Sequence, residues 1–273
     1  MKRKSLRELG AALARAFGGA IFFSLPLLMT MEMWWLGFYM DRLRLAIFLV
    51  LFIPVLVGLS HYAGFEETHH WSDDVRDAFV ALFVGFVTAG IVLYLVGILE
   101  PGVPLRETVG QITIEAIPAS VGAVLAEALF GAEQPDEERK KREAGYGGEL
   151  FLMAAGAIFF AFNVAPTEEM MLVAAKTVGW RVVAAALLSL LLMHAFVYAV
   201  EFKGRHARPE GVTPWSVFLR FTVVGYAIVL LMSVYVLWTF GRLDDSSLGF
   251  RISATVVLAF PASLGAAAAR LVL

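Results

Sequence analysis

The chain has 273 residues, 59% of them hydrophobic and 17% charged, with a mean hydropathy of +0.75 and a formal net charge of −2. An average soluble domain is about 45–50% apolar and 25% charged, and the apolar excess here falls in blocks of about 20 residues, each long enough for a hydrocarbon core of ~30 Å. The pattern points to a polytopic all-α membrane protein. The short alternating strands of a barrel are missing, the charge carries no nucleic-acid footprint, and with no cysteine there is no disulfide, thiolate metal site or cysteine nucleophile.

The basic start MKRKSLREL resembles the n-region of a signal peptide, but the apolar run after it is too long for an h-region, so an uncleaved first helix is expected over about 12–39. After the turn DRLR, helix two follows at about 43–63 and helix three at about 77–99, ending at Glu-Pro-Gly. Helix four, about 108–130, carries Gln111, Glu115 and Glu127. A charged stretch over 132–148 leads to helices five (about 149–175), six (about 180–200), seven (about 215–240) and eight (about 250–272).

Two stretches recur. Gly19–Met33, GAIFFSLPLLMTMEM, aligns without a gap on Gly156–Met170, GAIFFAFNVAPTEEM, at an offset of 137, with eight of fifteen positions identical. AIPASVGAVLA at 116–126 matches AFPASLGAAAA at 259–269 at an offset of 143, with seven of eleven identical. Both ends of a four-helix unit thus recur in order, the signature of an internal duplication. The expected organisation is a first repeat over 1–131, a charged cytoplasmic linker over 132–148 and a second repeat over 149–273. A unit with an even number of spans returns to its starting side. The repeats should therefore be parallel, eight helices in all, related by a pseudo-two-fold axis along the membrane normal.

Lys and Arg are more frequent on the side that holds both termini (Lys2, Lys4, Arg139 to Arg142, Lys203, Arg205, Arg208) than opposite (Arg42, Arg44, Arg106, Lys176, Arg181, Arg242, Arg251). The positive-inside rule then places both termini in the cytoplasm. On that topology Glu32, Glu115 and Glu169 all lie roughly 10 Å below the outer surface, at 1.5 Å of rise per residue. An ionised carboxylate within a helix costs ~2.5–3.5 kcal/mol on insertion scales, so three at one depth are expected to face a wet or cation-occupied interior. Pro26 and Pro166 free backbone carbonyls nearby, and Thr30, Thr167 and Asn163 add oxygens. Glu168 is also a candidate ligand, although Met31 takes its place in the first copy. Carboxylates, carbonyls and hydroxyls suit Ca²⁺ or Mg²⁺, and Glu32, Glu169 and Glu115 are the expected metal ligands; no cofactor is expected beyond such a bound divalent cation.

The remaining features have plainer readings. The stripes Ala119–Gly122–Ala126 and Ala262–Gly265–Ala269 are small-residue packing surfaces. His69, His70, Asp73 and Asp74 read as an interfacial loop, His194 as a hydrogen-bonded packing residue, and the RKKR run beside DEE as a solvated linker. Equivalence at offset 143 suggests an ion pair between Glu127 and Arg270. There is no phosphate-binding glycine loop, no HExxH and no GxSxG, so no enzyme is expected.

The stretch FNVAPTEEM, with LLMHAFVYAVEF at 191–202, resembles a bacterial family of integral membrane proteins of unknown function. That resemblance implies a multi-pass protein of the bacterial inner membrane and no particular activity. The expected partners are the lipid bilayer and inorganic cations, with no nucleic acid; a homo-oligomer is compatible with the sequence. Taken together, the expected function is a cation channel or transporter with an acidic site in the outer half of the membrane. The alternative is a non-conducting sensor or scaffold with a cytoplasmic partner.

Overall fold

A computed structural model describes residues 6–63, 71–130, 145–198, 215 and 218–272, and every regular element among them is a helix. The chain divides into two compact units, Met1–Glu143 and Ala144–Leu273. The first contains α1 (Leu6–Leu28), α2 (Met31–Tyr39), α3 (Arg42–Ala63), α4 (Trp71–Leu95) and α5 (Leu105–Phe130). The second contains α6 (Tyr146–Val164), α7 (Glu168–Lys176), α8 (Trp180–Tyr198), a π-helical turn Phe218–Val223 running into α9 (Val224–Thr239), and α10 (Leu248–Val272). Seven segments are long and apolar enough to cross a membrane: α1 from Gly10, α3, α4, α5, α6, the π turn with α9, and α10. Glu168–Lys176 and Trp180–Phe196 qualify together as an eighth, with a bend of 119° at their join.

The single helices expected over 12–39 and 149–175 are each two helices. The backbone leaves the helical ladder at Thr30 (φ −100, ψ 112) and at Thr167 (φ −72, ψ 143), both extended. In each case the threonine amide closes onto the carbonyl three residues back, Thr30 onto Leu27 at 2.8 Å and Thr167 onto Val164 at 3.1 Å. A new helix then starts at the next residue. These second helices, α2 and α7, have nine residues each and fall at the same offset of 137 that relates the sequence motifs. Nine residues rise only about 14 Å, under half of a ~30 Å core.

The last helix of each unit is its hub. α5 packs on α1, α2, α3 and α4, and α10 packs on α6, α7, α8 and α9. The burial agrees: 83% of the spanning window of α5 is covered, against 33–39% for α1, α3 and α4. α5 and α10 accept so many neighbours because small residues let backbones meet. A methyl group on Gly19 would collide with the Gly122 carbonyl and the Ala126 Cβ; one on Gly156 would collide with the Gly265 carbonyl and the Ala269 Cβ. Phe23 lies over Gly122 as Phe160 lies over Gly265. The stripes read as packing surfaces from the sequence are in that role.

Two polar contacts close the second unit. His194 Nδ1 lies 2.8 Å from the Thr222 hydroxyl in the π turn, as expected of a packing histidine. Arg270 forms an ion pair with Glu149 at 2.5 Å, and its guanidinium sits 4.2 Å from the Phe221 ring centroid. Arg270 therefore has a carboxylate partner on α6 of its own unit; the side chain of Glu127 lies outside the described residues.

Backbone contact at the hub predicts a sharp size limit. Gly122→Val and Gly265→Val should each destabilise the protein by at least ~1–3 kcal/mol through overpacking, read as a fall in melting temperature in detergent. Gly147→Ala, with open space around it, should be neutral or slightly stabilising. Equal melting curves for all three would contradict the hub contact.

Candidate functional site

In the first unit the polar residues converge on α5. Gln111, Glu115, Ala119, Gly122 and Ala126 follow each other at spacings of three or four and so share one stripe. The lower part of that stripe is pinned to α1 by Gly19 and Phe23 against Gly122; the upper part is pinned to α2 by Gly37 against Gln111. The break at Met29–Thr30 falls between those two contacts, so Glu115 leaves α5 opposite the break. From the other side α4 presses Gly85 onto Ala116 and Ser120 and brings Gly90 near Ile112, which sets Thr88 at the level between.

This position is buried and polar. Gln111 and Glu115 are both 0% exposed. Neither the two oxygens of Glu115, nor the amide oxygen and nitrogen of Gln111, nor the Thr88 hydroxyl has a hydrogen-bond partner among the described residues. A buried polar group normally has one, and an unsatisfied one costs about 1–3 kcal/mol, more if charged. At the end of α1 the Leu25 carbonyl accepts the Met29 amide, the Pro26 carbonyl the Thr30 hydroxyl and the Leu27 carbonyl the Thr30 amide, so the break closes most of its own backbone demand.

The other expected ligands are placed differently. Thr30 donates its hydroxyl to the Pro26 carbonyl at 2.6 Å, Asn163 its amide to the Phe159 carbonyl at 2.8 Å, and Thr167 its hydroxyl to the Val164 carbonyl at 2.8 Å. The Thr167 oxygen also accepts the Met170 amide at 3.3 Å, a helix N-cap. Glu32 and Glu169 occupy the same second position of the restarted helices, where a negative charge favours the helix dipole; Glu32 is half-buried and Glu169 exposed. The repeated Thr-x-Glu-Met is thus a helix restart signal, with Met33 and Met170 buried behind it. Glu168 is paired with Arg242, Nη1 to Oε1 at 2.7 Å, and Arg242 Nη2 donates to the Pro166 carbonyl. Among the described residues no three His, Cys, Asp or Glu side chains group so as to hold a metal ion. Asp74 pairs with His61 at 3.0 Å, while His69 and His70 lie outside the described residues.

Two arginines matter here that the sequence reading used only for topology. Arg242 follows Gly241, whose φ of +71 ends α9, and the Arg242 amide bonds Leu237 O at 2.9 Å. This is the Schellman end of a helix, and it aims the side chain back at the α6–α7 break. A glycine then a basic residue just after an apolar helix was the available signal. Arg42, at the start of α3, donates to the Phe38 carbonyl at 3.2 Å at the end of α2, with its guanidinium against Gly110. In the second unit the equivalent of Gly110 is Ser253, whose hydroxyl takes the equivalent place and bonds the Ala174 and Thr177 carbonyls at the end of α7.

The family model described as "Putative integral membrane protein (DUF2391)" matches residues 12–273. The chain belongs to that family. It is a multi-pass integral membrane protein, and the family carries no assigned function. No curated protein and no solved structure matches the chain.

The restart motif predicts unequal threonines. Thr167→Ala removes an N-cap bond and should cost about 1 kcal/mol. Thr30, which makes no cap bond to an amide, should cost less as Thr30→Ala. Thermal melting of the two variants checks this, and a larger loss at Thr30 would contradict the assignment.

Proposed function

We propose that this protein moves cations across the membrane and that Glu115 is the carboxylate that binds them. On the reading of eight spans in two parallel repeats with both termini cytoplasmic, Glu115 lies in the outer half of the bilayer of an inner membrane. The reading rests on one observation above the others: a fully buried carboxylate within a span, neither oxygen with a partner among the described residues, opposite a helix break. Discontinuous helices beside a polar group near the membrane interior are how many transporters bind coupling ions.

The donor set favours a monovalent cation. The Glu115 carboxylate, the Gln111 amide oxygen and the Thr88 hydroxyl supply hard oxygens with a single negative charge. Ca²⁺ is ordinarily held by six to eight oxygens, several of them carboxylates, and within the first unit Glu115 is the buried acid at the break. The divalent preference expected from paired glutamates therefore gives way to Na⁺ or K⁺, with Glu32 as a half-buried approach charge.

Flux into proteoliposomes for Na⁺, K⁺, Ca²⁺ and H⁺ tests the reading. Glu115→Gln should lower monovalent cation flux at least about 10-fold while the melting temperature holds or rises, since a neutral amide removes the cost of a buried charge. Glu32→Gln with Glu169→Gln should reduce flux less. Unchanged flux in a folded Glu115→Gln variant would leave the non-conducting sensor or scaffold reading in its place.

A further inference from the structure

We propose that Arg242 is a tethered cation, holding at the helix break of the second unit the place that a diffusible cation takes at the break of the first. The inference rests on the ion-binding reading of Glu115 and goes beyond it, because it assigns a second, self-occupied site.

The two breaks have the same backbone design and opposite electrostatics. Each separates a helix end, Leu28 or Val164, from a restart led by a threonine, Thr30 or Thr167. In the second unit the break carries Glu168 and the Pro166 carbonyl, and the Arg242 guanidinium bonds both. Its buried Nε has no partner among the described residues, so the head is held by those two oxygens. The hub helix offers no acid there, because at offset 143 the counterparts of Gln111 and Glu115 are Ala254 and Leu258. Negative and positive charge are thus matched inside the chain.

The first unit has the same aiming turn without the cation. Gly97 has φ +78, and Ile98 N bonds Leu93 O at 2.9 Å, as Gly241 has φ +71 and Arg242 N bonds Leu237 O at 2.9 Å. The residue in the position of Arg242 is Ile98, which has no charge to deliver. Arg42 does not substitute for it, since its guanidinium lies at the far end of α2, on the Phe38 carbonyl. The hub carboxylate Glu115 therefore faces its break without a tethered partner. Among the described residues one unit has an acid and no guanidinium at the break; the other has the guanidinium and a peripheral acid that it neutralises. Exchange of Ile98 for arginine, or of Arg242 for a neutral residue, should convert one type into the other.

Equilibrium binding of ²²Na⁺ and, separately, ⁴⁵Ca²⁺ to the full-length protein in nanodiscs tests this, with melting curves confirming that each variant is folded. Wild type should bind one Na⁺ per chain, and Glu115→Gln should bind none. Arg242→Gln should bind two, one of them surviving when Glu115→Gln is added, and Arg242→Lys should return the count to one. Ile98→Arg, which leaves Glu115 and the second unit untouched, should abolish binding and keeps the test open if Arg242→Gln does not fold. Loss of binding in Glu115→Gln, with one site in Arg242→Gln and normal binding in Ile98→Arg, would overturn the tethered cation and spare the ion-binding reading. Binding unaffected by Glu115→Gln, or no binding of either ion, would overturn both.

Discussion

The structure depends on backbone meeting backbone at one point in each unit. Gly19 against Gly122 and Gly156 against Gly265 allow the first and last helices to approach so closely that no side chain fits between them. In lipid there is no hydrophobic gain from pairing helices, so close van der Waals contact of this kind supplies the attraction. It also fixes register. Once Gly19 sits on Gly122 and Gly37 on Gln111, the end of α1 has to fall opposite Glu115. Chemistry at the break is a consequence of packing on either side of it.

The break itself is a backbone device with a general logic. Stopping a helix inside a membrane exposes carbonyls that water cannot reach, and these must be answered by protein groups or by an ion. Thr30 and Thr167 answer part of the demand locally, through bonds to Pro26 and Val164. What remains is negative; in one unit a guanidinium meets it, and in the other a buried carboxylate with no partner among the described residues adds to it. An acid added to such a place raises the demand for a cation, which is why Glu115 carries the functional reading and the exposed Glu169 does not.

Much of this was legible in the sequence, and the misses have physical causes. Hydropathy found the apolar segments, and self-comparison found the two stretches that turn out to hold equivalent breaks. It did not find the breaks, because apolar residues lie on both sides of Thr30 and Thr167 and a window of about 20 residues averages across them. The signal was present as a capping residue with acids in the next turn, but the acids drew the argument toward metal ligands instead. Asn163, Thr30 and Thr167 were read as ligands by type; within a helix or just past its end such side chains bond the preceding turn, as these do. The suggested Glu127–Arg270 pair came from sequence equivalence, which relates like positions and says nothing about contact. Arg270 meets Glu149, whose counterpart in the first repeat is Ala12, and the side chain of Glu127 lies outside the described residues. Glu115 lies on the stripe that leads into the packed small residues, a placement that helical periodicity alone gives.

The central claim is that one break of the two admits an ion, and the direct measurement is anomalous diffraction from crystals grown with Tl⁺ in place of Na⁺ or K⁺. The account predicts one strong peak, in the first unit, between the Glu115 carboxylate and the end of α1, and none beside Arg242. Density at Glu168 and Glu169, or no peak near Glu115 at saturating Tl⁺, would contradict it.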